Sequence, residues 1–193
     1  MNLGPVFEAA LSAQAACQAI ELSYCVIGGV ALQRWGEPRF TADVDISVLV
    51  ESGRESEVVE ALLEHLPARI EDAADFARRT RVVLLKSDQD VGIDIVLAAL
   101  PFEARIIARS SLWELDDANT LITCSAEDLL VMKAFAARDK DWADVTSILE
   151  RQGQRLDLAL VRSELRPLIE AKEQPEIAVQ LEQRIGRIIG PQS

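Results

Sequence analysis

Strand patterns are confined to the first two-thirds of this sequence, and this limits its possible folds more than any other feature. Before residue 125, short apolar and β-branched runs alternate with segments of helical spacing, which is the pattern of a sheet covered by helices. The clearest strand is segment 43–50, where polar and apolar residues alternate as in a half-buried strand. Segments 81–86 and 91–97 flank a polar turn and predict a β-hairpin. We therefore predict an α/β (α+β) protein with a mixed sheet flanked by helices.

The sequence changes character at Ser125. Ser125 and Asp128 have the spacing of a capping box at the start of a helix, and only helical spacing follows them. Glycine and proline residues are predicted to interrupt this helical part at Gly153, Pro167, Pro175 and Gly186. The change predicts two regions, a sheet-containing domain over residues 1–124 and a helical C-terminal region over residues 125–193.

Composition narrows the class of protein further. Hydrophobic residues make up 49% of the chain, as in a folded globular protein. With 20 Lys and Arg against 32 Asp and Glu, the formal net charge of −12 opposes broad attraction to nucleic acid or anionic membranes. Three cysteines without a CxxC pair suit a reducing compartment, and no apolar run is long enough to cross a bilayer. We expect a cytoplasmic protein with free thiols and no membrane partner.

A glycine pair follows the first predicted strand. Gly28 and Gly29 come after the apolar segment 23–27 and before a short predicted helix at 30–35. Glycines allow a ligand to approach the backbone, and the N-terminus of the next helix offers N–H groups to phosphate. A tight turn is the more frequent explanation of such a pair, so the motif needs support from other residues.

Three aspartates supply that support. Asp43 and Asp45 project from the same face of one strand, about 7 Å apart along it, so that their oxygens can share a cation. An isolated Asp-x-Asp more often marks a solvated edge, and we assign the pair Asp88 and Asp90 to turn formation. Asp94 lies between two isoleucines of a later strand. We interpret it as a third carboxylate of the site, and the alternative is a buried aspartate that is hydrogen-bonded within the core. Carboxylates beside a glycine turn are the parts that Mg²⁺-dependent phosphoryl-type transfer requires.

At this point the chain resembles a known family. Segments 27–32 and 36–45 resemble the signature of the nucleotidyltransferase superfamily that includes DNA polymerase beta, and Asp94 matches its third carboxylate. The Arg-x-Thr-x-Asp-x-Asp form, with the later segments 127–133 and 138–144, is similar to the AbiEii/AbiGii toxin-type nucleotidyltransferases. The resemblance implies a nucleotidyltransferase-type mixed sheet in the first domain. Many superfamily members carry serine where this chain has Gly29, whereas the toxin-type branch commonly uses Gly-Gly.

The resemblance also implies roles for the matched residues. Asp43, Asp45 and Asp94 would be the catalytic carboxylates and would hold two Mg²⁺ ions, with Mn²⁺ as an alternative, and Asp94 would also deprotonate the acceptor hydroxyl. The implied nucleotide-binding residues are Gly28, Gly29, Lys133 and Asp141. Lys133 would neutralise phosphate and Asp141 would support the site, although an ordinary helix-surface charge also explains Lys133.

Arg39 and Thr41 stand next to Asp43 in the sequence. Their position favours a contact with the nucleotide or the acceptor, and the alternative is that they pin the loop before the strand. We include both among the predicted nucleotide-binding residues.

The resulting hypothesis is a Mg²⁺-dependent enzyme that moves a nucleotidyl group from a nucleoside triphosphate to an acceptor hydroxyl and releases pyrophosphate. The acceptor would be a transfer RNA or other RNA end, a protein side chain, or a small molecule such as an aminoglycoside. The family implies a toxin of a toxin–antitoxin system, with a cognate antitoxin as partner. The alternatives are a non-enzymatic nucleotide-binding or partner-binding protein on the same fold, and a metal-dependent phosphodiesterase.

Overall fold

The structure, a computed structural model, describes residues 3–190. The chain divides into two compact units. The first contains the residues up to Ala31 together with Phe40–Cys124, and the second contains Leu32–Arg39 together with the residues from Ser125 onward. The short segment Leu32–Arg39 thus groups with the second unit, whereas the boundary predicted from the sequence assigns it to the first region.

The first unit contains the whole sheet. Its strands are β1 (Tyr24–Ile27), β2 (Asp43–Leu49), β3 (Val82–Lys86), β4 (Gly92–Ala98), β5 (Ser111–Glu114) and β6 (Thr120–Thr123). Its helices are α1 (Pro5–Ala19), the start of α2 (Gly28–Trp35), α3 (Glu55–His65), α4 (Ala73–Thr80) and α5 (Pro101–Ala108). These elements confirm the predicted α/β class.

The six strands form one mixed sheet in the order β3-β4-β2-β1-β6-β5. The pairs β1–β2, β3–β4 and β5–β6 are antiparallel, whereas β2–β4 and β1–β6 are parallel. The antiparallel β3–β4 pair is the hairpin that the sequence predicts. Because β2 and β4 are parallel and in register from Asp43 to Leu49, side chains far apart in sequence share one face of the sheet.

One face of the sheet forms the core of the first unit. The inward side chains of the central strands are almost fully buried: Val44, Ile46, Val48, Ile93, Ile95 and Leu97. Burying each such side chain stabilises the fold by about 1.5–3 kcal/mol. Helix α1 packs on this core through small residues, Ala9, Ala10, Ala13 and Ala16, and alanine permits a close approach. The alternation predicted for β2 therefore has a physical cause, because its other face is left for polar groups.

A buried amide fixes α1 to β6. The Gln14 side chain donates from Nε2 to the Thr120 carbonyl at 2.8 Å and accepts the Ile122 N–H at 2.9 Å through Oε1. Gln14 thus satisfies one donor and one acceptor of the strand, as a neighbouring strand would. No sequence pattern predicted this role.

The second unit is helical. It contains the end of α2 and the helices α6 (Ala126–Ala136), α7 (Asp139–Gln152), α8 (Leu158–Lys172) and α9 (Glu176–Ile188), with a 3₁₀ turn at Gly153–Arg155. The predicted helix start is confirmed, since Ser125 is the N-cap of α6 and its Oγ accepts the Asp128 N–H at 3.1 Å. The Asp128 carboxylate accepts from Ser125 Oγ at 2.8 Å, so the pair differs from a capping box, in which it would accept from the Ser125 N–H. No helix within residues 3–190 is long and apolar enough to span a membrane.

Two of the predicted interruptions are wrong. Pro167 lies inside α8, and Gly186 lies inside α9. The buried face of α8 continues through Val161, Leu165 and Ile169 on both sides of the proline. Packing of this face outweighs the lost backbone hydrogen bond, so the proline does not end the helix.

Candidate active site

The polar face of β2 and β4 brings the three predicted carboxylates together. The parallel register pairs Asp45 with Asp94 and Asp43 with Gly92. Residues in register on adjacent strands point to the same face, and the strands lie about 4.8 Å apart. Asp43, Asp45 and Asp94 therefore share one face at the same end of the two strands.

The glycine pair lies directly beside these carboxylates. Gly28 follows Ile27, which pairs with Asp45 across β1 and β2. Its backbone has φ +62°, and a Cβ atom there would overlap the Asp45 carboxylate and lie 2.7 Å from its Cγ. Both observations require glycine. Helix α2 begins at Gly28 itself, slightly earlier than the predicted start after the pair.

Gly29 has a different neighbour. A Cβ atom at Gly29 would overlap the Thr41 hydroxyl and lie 2.8 Å from Thr41 Cβ. Thr41 Oγ1 in turn donates to the Asp43 carbonyl at 3.3 Å and lies 3.4 Å from Asp43 Oδ1. The absence of a side chain at Gly29 thus leaves room for a hydroxyl that is held against the first carboxylate.

Asp94 is partly shielded from solvent and paired with an arginine. Its side chain is 27% exposed, and Arg69 Nη2 lies 2.7 Å from its Oδ1. Oδ1 itself is shielded from water and accepts no well-aligned hydrogen bond, so the Arg69 contact is an ion pair. Burial raises the pKa of Asp94, the Arg69 charge opposes this rise, and the negative Asp43 adds to it. Arg69 was not predicted as a site residue.

The donor set suits a hard divalent cation. Asp43, Asp45 and Asp94 offer only oxygen atoms, which Mg²⁺ and Mn²⁺ prefer. Within residues 3–190, no group of three or more His, Cys, Asp or Glu side chains is arranged to hold a metal by itself. Mg²⁺ usually takes one or two protein carboxylates and completes its shell with water and substrate phosphates. Chemically, these residues fit an ion that arrives with a nucleotide better than a permanent structural metal.

The second unit contains a cluster of alternating charges, which we call the α6–α7 charge cluster. It consists of Arg39, Lys133, Arg138, Asp141 and Asp144. Arg39 contacts the Asp144 carboxylate with both Nε and Nη2, at 2.7 and 2.8 Å. The buried Lys133 ammonium lies 2.9 Å from Asp144 and 3.4 Å from Asp141, and Arg138 Nε donates to Asp141 at 2.5 Å.

Both carboxylates of this cluster are buried and ionised. Burial by itself would raise the pKa of Asp141, but the hydrogen bond from Arg138 and the Lys133 charge lower it below its ordinary value. Burial would also raise the pKa of Asp144, but the hydrogen bonds from Arg39 and Lys133 lower this pKa below its ordinary value. The cluster contains three cations and two carboxylates, and Arg39 and Arg138 are its more exposed members.

The predicted site residues therefore fall into two groups. Gly28, Gly29, Thr41, Asp43, Asp45 and Asp94 lie in the first unit, and Arg39, Lys133 and Asp141 lie in the second. Asp144 was not predicted as a site residue, but it is a buried partner of Arg39 and Lys133. Its spacing of three residues from Asp141 on a helix was the available clue.

The fold and these residues define a nucleotidyltransferase. The chain belongs to the family described as "Nucleotidyl transferase AbiEii toxin, Type IV TA system", whose profile matches residues 9–188. This confirms the predicted resemblance and favours an enzyme over a non-enzymatic binding protein.

A comparison with solved structures supports the fold through the first of the following matches. A nucleotidyltransferase-like antigenic protein from Paracoccidioides brasiliensis superposes with a TM-score of 0.50 at 16% identity, covering 94% of each chain. The antibiotic-resistance factor ANT(2'')-Ia, in solution, gives a TM-score of 0.49 at 18% identity, over 89% of this chain and 93% of the other. Its crystal structure with adenylyl-2''-tobramycin gives 0.45 at 18% identity, over 91% and 94%. Comparison with curated protein sequences gives no significant match.

Proposed function

We propose that this protein transfers a nucleotidyl group from a nucleoside triphosphate to an acceptor hydroxyl, with pyrophosphate as the second product, at the face formed by β2 and β4. The observation that carries the proposal is the parallel register that pairs Asp45 with Asp94 and leaves Asp43 on the same face. Three carboxylates at one end of two strands repel each other, and such an arrangement is costly unless a cation is used there.

We assign Asp43, Asp45 and Asp94 as ligands of Mg²⁺ or Mn²⁺. When bound, the divalent ions supply positive charge to the triphosphate and to the attacking and leaving oxygens. Asp94 has a second role in this proposal. Its carboxylate, on the same face as the other two, would accept the proton of the acceptor hydroxyl.

Gly28, Gly29 and Thr41 are proposed to receive the triphosphate. The first N–H groups of α2 have no partner within the helix and favour an anion. The Thr41 hydroxyl, which stands where a side chain at position 29 would be, adds a donor of the kind that serine supplies in other superfamily members. Because Gly28 also abuts Asp45, phosphate and cation would be held next to each other.

The α6–α7 charge cluster is proposed to contribute to nucleotide binding through Arg39. The Arg39 side chain is 38% exposed and is oriented by two contacts with Asp144, and a partly exposed guanidinium with a fixed orientation suits a phosphate. Lys133 and Asp141 are buried, and Lys133 is already paired with both aspartates. We propose that these two residues fix Asp144, and through it Arg39, rather than contact the nucleotide themselves.

The biological role follows from the family. We propose that the protein acts in the cytoplasm as a toxin with a cognate antitoxin, and that residues 1–124 form the catalytic domain with the helical region 125–193 appended to it. The acceptor would be an RNA end, a protein side chain or a small molecule. The net charge of −12 favours an acceptor held over a short stretch, since the protein as a whole repels a polyanion.

Transfer of label from α-labelled nucleoside triphosphates tests the proposal. RNA, total protein and aminoglycosides serve as parallel acceptors, with Mg²⁺ or Mn²⁺ added. We expect Asp45→Asn to abolish labelling, and Asp88→Asn, an exposed turn residue from the other Asp-x-Asp pair, to leave it unchanged. Undiminished labelling by Asp45→Asn would contradict the mechanism. Metal-dependent formation of free nucleotide without labelled acceptor would favour the phosphodiesterase alternative.

A further inference from the structure

Arg69 belongs to a segment that is fixed to the edge of the sheet. Its N–H donates to the Leu84 carbonyl at 2.9 Å, and the Lys86 N–H donates to the Pro67 carbonyl at 3.0 Å. Between them, Ala68 pairs with Leu85 as an isolated β-bridge. The backbone of Arg69 is therefore held beside β3, and its side chain reaches over β3 to Asp94 on β4.

A glycine makes room for this side chain. A Cβ atom at Gly92 would overlap Arg69 Nη1 and would lie 3.7 Å from Asp43 Cβ. Gly92 does not have a positive φ, so space rather than backbone conformation explains the glycine. The Arg69 guanidinium thus lies over Gly92 with one nitrogen and contacts Asp94 Oδ1 with another, on the face that carries the three carboxylates.

Asp94 Oδ1 cannot easily bind the Arg69 guanidinium and a divalent cation at the same time. It is shielded from water, and the Arg69 Nη2 atom already approaches it at 2.7 Å. A divalent cation that used this oxygen as a ligand would bring two further positive charges to the same point. Repulsion between the cation and the guanidinium would then favour one occupant over the other.

We propose that Arg69 is a built-in competitor of the divalent cation, so that the guanidinium has to leave Asp94 Oδ1 before this oxygen can become a metal ligand. The inference rests on the proposed function, because it takes Asp94 as a ligand. It assigns Arg69 a positioning role that weakens cation binding and keeps the three carboxylates together when the cation is not bound. Arg69 need not touch the nucleotide for this role.

Binding of Mn²⁺ tests the competition directly, without any measurement of turnover. Free Mn²⁺ is titrated by its paramagnetic resonance signal against wild-type protein, Arg69→Gln and Arg81→Gln. The Arg81–Glu55 pair is a matched control, because its 3.0 Å contact and side-chain exposures of 36% and 27% resemble the 34% and 27% of Arg69 and Asp94. We expect Arg69→Gln to bind Mn²⁺ about tenfold more tightly, equivalent to about 1.4 kcal/mol, and Arg81→Gln to match the wild type.

A second variant displaces the guanidinium without removing its charge. In Gly92→Ala the new methyl group overlaps Arg69 Nη1, and the flexible end of the side chain can move away. We expect tighter Mn²⁺ binding in this variant too, with a larger rise in melting temperature on adding Mn²⁺ than in the wild type. Circular dichroism confirms that the variants are folded.

The outcomes separate this inference from the function on which it rests. Mn²⁺ binding that is lost in the double variant Asp43→Asn, Asp45→Asn but is unchanged in Arg69→Gln and Gly92→Ala overturns the role of Arg69 and leaves the proposed function supported. Mn²⁺ binding by none of the proteins overturns the role of Arg69, and the label-transfer assay then decides the proposed function separately. Weaker binding in Arg69→Gln overturns competition, because it would show that the guanidinium assists the cation.

Discussion

The contact between Gly28 and Asp45 gives the sharpest test of how the site is built. In Gly28→Ala, the new methyl group destabilises the fold in two ways. Alanine at φ +62° costs about 1 kcal/mol relative to glycine. The overlap with the Asp45 carboxylate forces that side chain, or the turn, to move, and such overpacking costs about 1–3 kcal/mol. We therefore expect Gly28→Ala to lower the free energy of unfolding by about 2–4 kcal/mol.

Gly53→Ala isolates the backbone cost. Gly53 has φ +90°, and nothing lies within 4 Å of a Cβ atom there, so its substitution should cost only about 1 kcal/mol. Urea unfolding of both variants gives the two values, and their difference measures the contact with Asp45. Combining Gly28→Ala with Asp45→Ala removes the two closest overlaps, so the double variant should lose less stability than the sum of the single ones. Equal costs for Gly28→Ala and Gly53→Ala would refute the argument that Gly28 is a glycine because Asp45 needs the space.

Two further predictions concern the charged residues. Lys133→Met leaves two buried carboxylates with fewer compensating charges and should lower the free energy of unfolding by about 3 kcal/mol. The control Lys140→Met, on the exposed surface, should change the free energy of unfolding by less than about 0.5 kcal/mol. Equal urea midpoints for the two variants would contradict the assigned role of Lys133. Asp94 has a raised pKa in the folded state, so its ionised form opposes folding at neutral pH and the penalty disappears as the pH falls toward the ordinary value of 3.8. Asp94→Asn should therefore be more stable than the wild type at pH 7, with an advantage that shrinks on acidification, and a less stable variant at pH 7 would show that the Arg69 contact outweighs burial.

Local sequence patterns predicted much of the fold because the elements carry their own signals. The alternation of segment 43–50 follows from one buried and one polar face, and the N-cap at Ser125 is a contact between residues three apart. Where the pattern was misleading, at Pro167, packing on neighbouring helices decided the outcome. A rule about isolated helices does not include that packing.

The site was predictable only in part, because its residues are related by pairing between distant strands. The i, i+2 spacing of Asp43 and Asp45 is local, and it placed both on one face. The neighbouring position of Asp94 depends on the parallel register of β2 and β4, which no short-range pattern determines. Arg69 carries no motif, and its contact with Asp94 exists only because the segment before α4 runs along β3.

Three glycines of the first unit follow one principle that connects sequence to site. Gly28, Gly29 and Gly92 each occupy a position where a Cβ atom would overlap a polar side chain, that of Asp45, Thr41 and Arg69 respectively. Gly29 and Gly92 lack a positive φ, so their backbone conformations do not demand glycine, and the opposing side chain does. The side chains that face the Gly-Gly pair therefore explain why both positions are glycine. By the same argument, serine at position 29 is incompatible with Thr41 as it stands, so a chain with serine there has to place a smaller or differently oriented residue at position 41. In this chain the hydroxyl beside the Gly28-Gly29 turn comes from Thr41.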